Sequence, residues 1–123
     1  DQVGGFAPAY FMYYEDLDLC IRFKEVGWKI GCVTDASMWH TVSASSGGTA
    51  SPMKQYHQVR SSIIFYRQHT SGLMFVINMA LRLAHAGYML ILYLMRGMLS
   101  GALFRHYFQG LREGIESGSE FKS

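Results

Sequence analysis

The chain has 123 residues, of which 50% are hydrophobic and 16% are charged, with a net charge of +2 at pH 7. The length suffices for one small domain with a hydrophobic core, and the composition is too polar for a bundle of membrane spans. Residues 1–50 carry a net charge of −3 and residues 51–123 a net charge of +5. This asymmetry indicates an anionic surface, such as a membrane, as partner of the second part. Separately, we expect no nucleic-acid partner.

A group of three carboxylates follows an aromatic stretch near the start of the chain. Glu15, Asp16 and Asp18 come directly after residues 11–14, and an apolar helical pattern begins at the same point. We predict a helix over residues 15–26 with Gly27 as its C-cap. Carboxylates in a first helical turn face unpaired N–H groups, which suits a general base or a metal site. The alternative is an ordinary helix start with acidic first-turn residues.

The remaining elements alternate between short extended pieces and long helices. Residues 28–33 and 36–40 read as short strands, and the small polar residues 41–50 read as a loop. Ser51-Pro52 predicts a helix start, with that helix ending near residue 69. Two further helices are predicted over residues 72–99, bent at Gly87, and over residues 102–115. The expected fold class is therefore α+β, mainly helical, with short strands followed by long amphipathic helices.

Two charge-free runs, residues 68–81 and 83–95, are separated by Arg82. Neither run alone reaches the ~18–20 apolar residues that a spanning helix needs. On one continuous helix, Arg67, Arg82 and Arg96 would form a narrow basic stripe, which is typical of a helix that lies in the membrane surface. The alternative is a core helix of a larger protein or of an oligomer.

Several motifs occur in a familiar order along the first half of the chain. They are Gly4-Gly5-Phe6, the run Glu15-Asp16-Leu17-Asp18 within residues 11–22, Gly27-Trp28-Lys29-Ile30 and Trp39-His40. Together they resemble the C-terminal half of the catalytic domain in bacterial family 2 glycosyltransferases, in the branch of rhamnosyl- and galactofuranosyltransferases. The resemblance covers about residues 4–67. Residues 110–115 resemble a Gly-Leu-x-x-Gly-Leu segment that many of these proteins carry.

The resemblance implies an inverting enzyme with the GT-A fold, a nucleotide-sugar-binding α/β sandwich. Residues 1–69 would be the acceptor side of the catalytic domain, and residues 70–123 a helical extension that associates with the membrane. No Asp-x-Asp metal motif follows an apolar strand here, and no nucleotide-binding βαβ region is present. We therefore expect a C-terminal fragment, inactive alone, whose gene continues upstream with the donor-binding half.

The resemblance also implies roles for individual residues. Asp16 matches the general base that deprotonates the acceptor hydroxyl, and Glu15 would bind the acceptor or orient Asp16. Asp18 and Arg22 would brace the helix. His40 matches a ligand of the divalent metal, Mg²⁺ or Mn²⁺, on the donor diphosphate, although a lone histidine is more often structural. Independently of the resemblance, the serine loop could close over donor or acceptor and Arg60 could meet a phosphate, so the candidates for substrate binding are Ser43, Ser45, Ser46 and Arg60. The alternative for them is a plain loop or helix surface.

The expected function is transfer of a sugar from a nucleotide-sugar donor to a glycan or lipid-linked acceptor in envelope polysaccharide synthesis. We expect peripheral attachment to an anionic membrane surface on the cytoplasmic face of the inner membrane, and a homo-oligomer as a further arrangement. The alternative function is a non-catalytic module for membrane-surface binding or oligomerisation, in which the acidic cluster only caps a helix.

Overall fold

Four α-helices make up the regular structure of the part that the computed structural model describes, which comprises residues 3–39, 51–95 and 101–117. They are α1 (Glu15–Glu25), α2 (Pro52–His69), α3 (Gly72–Met95) and α4 (Gly101–Ser117). No β-strand occurs within these three ranges. The described part of the chain is therefore all-α.

The expected α+β fold class is wrong for the described residues. Residues 28–33 have no regular secondary structure and pair with no other described segment, and their side chains are exposed, with Trp28 59% and Val33 73% accessible. The described part of the second predicted strand, residues 36–39, is exposed in the same way. A β-former sequence becomes a strand only when a neighbouring strand satisfies its backbone groups. No described segment does so here, so the β-forming residues 28–33 do not become a strand.

The end of α1 confirms the prediction for Gly27. Its φ of 88° lies in the left-handed region that glycine tolerates best. The Gly27 N–H donates to the Lys24 carbonyl over 3.0 Å, and the Trp28 N–H donates to the Phe23 carbonyl over 3.0 Å. These two bonds form a Schellman motif, and the Phe23 and Trp28 rings pack edge to face at 6.3 Å, as the motif favours.

The bounds of the later helices agree with the predicted ones to within two residues where they are described. Ser51 lies at the N-cap with extended backbone and Pro52 begins α2, although no side-chain hydrogen bond caps the helix. Helix α2 ends before Thr70, which is extended with φ −129°. This break separates Arg67 from α3, so the basic stripe predicted along one continuous helix is wrong. Residues 96–99, the predicted end of the third helix, lie outside the described residues.

Helices α2 and α4 run parallel and approach each other closely through two glycines. Gly110 and Gly114 are both buried on the face of α4 that meets α2. A Cβ at Gly110 would lie 2.6 Å from the Tyr56 carbonyl oxygen, and a Cβ at Gly114 would lie 3.1 Å from the Arg60 oxygen and from Ile63. The Gly-x-x-x-Gly spacing places both glycines on one helix face, which lets two helix backbones touch.

The segment before α1 covers another face of α2. Ala9 and Tyr10 form a buried cluster with Ile64. Ser61 Oγ donates to the Met12 carbonyl over 2.9 Å, and Arg60 Nη1 donates to the Ala9 carbonyl over 2.8 Å. Helix α2 is therefore the central element, because the N-terminal segment and α4 both pack on it.

Helix α3 returns antiparallel to α2 and packs loosely. It starts beside the end of α2, and its Tyr93 hydroxyl accepts a hydrogen bond of 3.4 Å from Gln55 Nε2 near the start of α2. No residue of α3 is fully buried. The division into residues 1–69 and 70–123 stays a prediction, although α4 from the second part packs along α2 from the first.

The side of α3 that faces away from the other helices is apolar. We call the following exposed residues the outer face of α3: Leu73, Met74, Val76, Ile77, Leu81, Leu83, Tyr88, Ile91, Leu94 and Met95. Asn78 and Arg82 are half-buried on the inward side. Of the described helices, α3 alone is long and apolar enough to cross a membrane by length and composition. The two apolar runs thus join into one helix of 24 residues.

Candidate functional site

The acidic group lies directly after two residues with unusual backbone conformations. Tyr13 has φ 67° and Tyr14 has φ 68°, so two successive aromatic residues adopt the left-handed region. This conformation costs about 1–3 kcal/mol per non-glycine residue, and it persists only where the surroundings hold it. Here the Tyr14 ring packs on Phe65 at 5.1 Å and on Tyr66 at 6.1 Å, both on α2. The start of α1 is therefore positioned by α2.

The three carboxylates have different surroundings, and Asp18 is the structural one. Its side chain is 4% accessible and lies between α1 and the end of α2. One carboxylate oxygen accepts a hydrogen bond from Arg22 Nε at 2.9 Å, and the other lies 2.8 Å from His69 Nε2. The pair with Arg22 confirms the predicted brace. Sequence reasoning missed His69, because no spacing signal joins residues that are 51 positions apart.

Arg22 extends this brace to the beginning of the described chain. Its Nη1 donates to the Val3 carbonyl over 2.6 Å, and its Nη2 donates to the Gly5 carbonyl over 2.8 Å. The Gly4-Gly5 turn, α1 and the end of α2 are thus held together around one buried carboxylate.

Asp16, by contrast, points to solvent. It is exposed, and its Oδ1 accepts a hydrogen bond of 2.8 Å from the Leu17 N–H. Among the described residues, no side chain donates a hydrogen bond to Asp16. Asp16 lines a shallow surface depression together with Tyr13, Glu15 and Gln58. Its carboxylate is accessible to a molecule that enters this depression.

Glu15 is half-buried at the floor of the same region. Its Oε2 is shielded from solvent and has no hydrogen-bond partner among the described residues. A buried carboxylate oxygen without a donor is unfavourable by about 1–3 kcal/mol or more, and such an atom in a folded protein calls for a partner. A hydroxyl group bound in the depression would be such a donor.

Tyr14 supplies a neutral wall to the depression. Burial, followed by the hydrogen bond with Tyr66, raises the pKa of Tyr14 to about 12, and the charge of Arg82 opposes this rise. The two phenol oxygens are 3.4 Å apart. The Tyr14 hydroxyl therefore keeps its proton at neutral pH and adds no negative charge beside Asp16.

The other predicted site residues are not brought to this depression by the described contacts. Arg60 donates to the Ala9 carbonyl and so ties the N-terminal segment to α2. His40, Ser43, Ser45 and Ser46 lie outside the described residues. Within the described residues no three His, Cys, Asp or Glu side chains group closely enough to hold a metal ion. The first-turn carboxylates therefore do not form a metal site with their described neighbours.

A second functional candidate, Arg82, was not predicted as a site residue. Its guanidinium carbon lies 5.8 Å from the centre of the Tyr107 ring on α4. Its Nε is buried and has no hydrogen-bond partner among the described residues. The sequence did carry a signal, because Arg82 is the one Asp, Glu, Lys or Arg residue of α3.

Comparison with known proteins gives a partial match. The chain is 40% identical over 72 residues to N-acetylglucosaminyl-diphospho-decaprenol L-rhamnosyltransferase of Mycobacterium tuberculosis, in each of two strains. The aligned part covers 58% of this chain and 23% of each relative, so the chain corresponds to about a quarter of their length. No family model and no solved structure matches the chain. The chain is thus similar over more than half of its length to a glycosyltransferase.

Proposed function

We propose that the chain is the acceptor-side part of an inverting glycosyltransferase with a GT-A catalytic domain. The whole enzyme transfers a sugar from a nucleotide-sugar donor to a glycan or lipid-linked acceptor in envelope polysaccharide synthesis. The similarity to a rhamnosyltransferase over 72 residues supports the reaction class. The donor-binding half lies outside this chain, and the fragment alone is inactive.

The reaction assigned to the depression is a single displacement. Asp16 accepts the proton of an acceptor hydroxyl while that oxygen attacks the anomeric carbon of the donor sugar. The bond from the anomeric carbon to the diphosphate oxygen breaks, and the nucleotide diphosphate leaves with the electron pair. A carboxylate that performs this step must reach substrate and must carry no competing ion pair.

The observation that carries the proposal is the contrast between Asp16 and Asp18. Asp18 is buried and paired with Arg22 and His69, whereas Asp16 is exposed at the edge of the depression. Glu15 beside it has a buried oxygen without a donor, which supports acceptor binding there. The strained backbone of Tyr13 and Tyr14 fixes where both carboxylates lie.

The test replaces Asp16 in the full-length enzyme. Asp16→Asn should lower the rate of transfer by about 10²–10⁴-fold, the usual contribution of a general base, with donor affinity nearly unchanged. Glu15→Gln should raise the KM for acceptor more than it lowers kcat. The matched control is Gln58→Ala, which alters the rim of the same depression without a carboxylate and should have a small effect.

Three outcomes would contradict this assignment. A fall in donor affinity in parallel with the rate would make Asp16 a donor-site or structural residue. A Glu15→Gln variant with the larger loss of kcat would reverse the roles of the two carboxylates. Full activity of both variants would favour the non-catalytic module.

Among the described residues, no group of three possible ligands forms a metal site. His40 is proposed as a ligand of Mg²⁺ or Mn²⁺ on the donor diphosphate, with the remaining ligands outside this chain.

Attachment to the membrane is the second part of the proposal. The outer face of α3 is apolar, and the inward position of Arg82 leaves no charge on it. Because α2 and α4 run alongside α3, a perpendicular span would carry the exposed Arg105 and Arg112 of α4 into the hydrocarbon, at a high cost. We therefore propose that α3 lies in the plane of the cytoplasmic leaflet of the inner membrane, with its outer face in the lipid.

A further inference from the structure

Arg82 is a positively charged residue in otherwise apolar surroundings. It lies half-buried in the middle of an apolar helix, and none of the ion pairs among the described residues includes it. The Tyr107 ring accounts for one side of the guanidinium, but Nε is shielded from water and has no acceptor among the described residues. A buried charge is retained when a partner of opposite sign binds it. An anion that accepts a hydrogen bond from the guanidinium would be such a partner.

An apolar cavity of about 180 Å³ lies between α3 and α4, and Tyr107 joins it to Arg82. Tyr107, which stacks with Arg82, is part of its wall, and Gly87, Leu90 and Phe104 form much of the rest. An apolar cavity of about 150 Å³ can hold a molecule the size of benzene, so this one accommodates a five-carbon isoprene unit. Its polar end is formed by Gln55 and Tyr93.

The cavity and the candidate base lie along the same face of α2. Gln55 lines the cavity and Gln58 lines the depression that contains Asp16. These two positions are three residues apart, so they are neighbours on the helix surface, separated by about 4.5 Å along its axis. Arg82 lies 5.8 Å from the centre of the Tyr107 ring, which lines the cavity, and its charge also opposes the rise in the pKa of Tyr14, which lines the depression.

We propose that Arg82 and the cavity between α3 and α4 bind a polyprenyl diphosphate, with the guanidinium on the diphosphate and the first isoprene unit in the cavity. The site deepens the proposed function, on which it rests, because the headgroup sugar of such a lipid would then extend toward Asp16. The occupant follows from the combination of one cation, an apolar slot and continuity with the lipid-facing helix α3. An arginine fork suits phosphate oxygens, with which it forms charge-assisted hydrogen bonds.

The test measures equilibrium binding to the full-length protein in detergent, without donor, so that no turnover is needed. The probes are geranylgeranyl diphosphate, geranylgeraniol, inorganic diphosphate and phosphatidylglycerol. The wild-type protein should bind the prenyl diphosphate tightest. Arg82→Gln should weaken that binding by roughly tenfold or more and leave geranylgeraniol nearly unchanged, because only the charge-assisted bonds are lost. Arg82→Lys should keep part of the affinity.

A second variant tests the cavity independently of the charge. Gly87 lines the cavity, and a Cβ added there would have no atom within 4 Å, so Gly87→Leu adds bulk at the cavity wall without a backbone clash. It should weaken binding of both prenyl compounds and leave inorganic diphosphate unchanged. The matched control is Ala80→Leu, an addition of similar size on the exposed side of α3, which should change neither.

Three results would overturn the inference. They are unchanged affinity in both Arg82→Gln and Gly87→Leu, equal affinity for inorganic and prenyl diphosphate, and full competition by phosphatidylglycerol. If Arg82→Gln does not fold, Arg82→Lys and Gly87→Leu decide. Asp16→Asn should leave this binding unchanged. If Asp16→Asn does not lower the rate of transfer, the proposed function is wrong. If Arg82→Gln does not weaken binding, only this inference is wrong.

Discussion

Asp16 and Asp18 are two residues apart, and their environments are opposite. Successive residues of an α-helix are rotated by about 100°, so these two side chains lie on nearly opposite faces of α1. Asp18 faces α2 and is 3% exposed, whereas Asp16 faces solvent. Helix geometry thus lets only one of these two side chains pack against α2 as the structural brace. The other remains available for chemistry.

Asp18 should be among the residues that matter most for stability. Asp18→Ala leaves Arg22 and the nearby His69 without their shared partner, and removal of one member of a buried pair costs about 3–5 kcal/mol. Urea unfolding of the protein measures this change. The control is Glu116→Gln in the exposed pair with Arg112, which should cost less than about 1 kcal/mol. Equal effects in the two variants would show that Asp18 does not hold α1 on α2.

His57 should make stability depend on pH between about 5 and 7. Its ring packs against Phe11 at 4.9 Å and against Tyr56 at 4.8 Å. Burial, followed by the charge of Arg60, lowers the pKa of His57, and Glu113 opposes this effect. The unfolded chain therefore binds a proton at higher pH than the folded one, so stability is present above about pH 6.5 and is lost as the pH falls.

The variant His57→Phe keeps an aromatic ring and removes the titration. Its melting temperature should fall less than that of the wild type between pH 7 and pH 5. An identical pH dependence in the two proteins would assign the acid sensitivity to other groups.

The closest helix–helix packing of the fold is that of the parallel pair α2 and α4. The backbones approach because Gly110 and Gly114 carry no side chain at the contact. The Tyr56 hydroxyl donates to Glu113 across the same interface, and this bond, with one from Gln109, lowers the pKa of Glu113. The Gly-Leu-x-x-Gly-Ile segment thus has a packing role in this fold.

Gly110→Ala should therefore destabilise the protein by about 1–3 kcal/mol, because the added methyl group would lie 2.6 Å from the Tyr56 oxygen and α4 would have to shift. Gly114→Ala, with its closest contact at 3.1 Å, should cost less. The control is Gly87→Ala in α3, where no atom lies within 4 Å and the better helix propensity should add about 0.5–1 kcal/mol. Thermal melting of the three variants gives the order, and a Gly110→Ala variant as stable as wild type would refute the close approach.

At the scale of the whole molecule, the candidate acceptor site and the apolar outer face of α3 lie on different elements. The N-terminal segment, α1 and α2 hold the candidate acceptor site, and the outer face of α3 has no protein partner among the described residues. A lipid surface under α3 would cover this face and would leave the depression at Asp16 open.

Vesicle flotation measures this attachment. The protein should float with neutral vesicles through the outer face of α3, and more strongly with anionic ones. Arg105 and Arg112, both exposed on α4, should each add about 1 kcal/mol or less of attraction that falls at high salt. Leu81→Glu on the outer face should lower binding to both kinds of vesicle, whereas Leu17→Glu, also exposed but on α1, should not.

Equal binding to neutral and anionic vesicles would remove the electrostatic contribution. Absence of binding, together with a soluble oligomer on sizing, would make the outer face of α3 a protein–protein contact instead.

The local features of this protein follow from the sequence. Pro52 restricts the backbone to helical angles and marks the start of α2, and Gly27 permits the positive φ that ends α1. A helix start and a helix end could therefore be predicted from single residues. The pair of Asp18 and Arg22 follows from i, i+4 spacing. Arg82 is visible as the single charge in an apolar helix, although its inward direction is not.

Tertiary structure decided what depends on distant partners. The predicted strand at residues 28–33 did not form because propensity cannot supply a neighbouring strand, and the described chain offers none. His69 and Tyr56 both lie on α2. They contact Asp18 of α1 and Gly110 of α4 because α2 packs against both of these helices. Periodicity determines which face of a helix is apolar. The packing of α2, α3 and α4 determines which face is buried, and it turned the polar side of α3 inward.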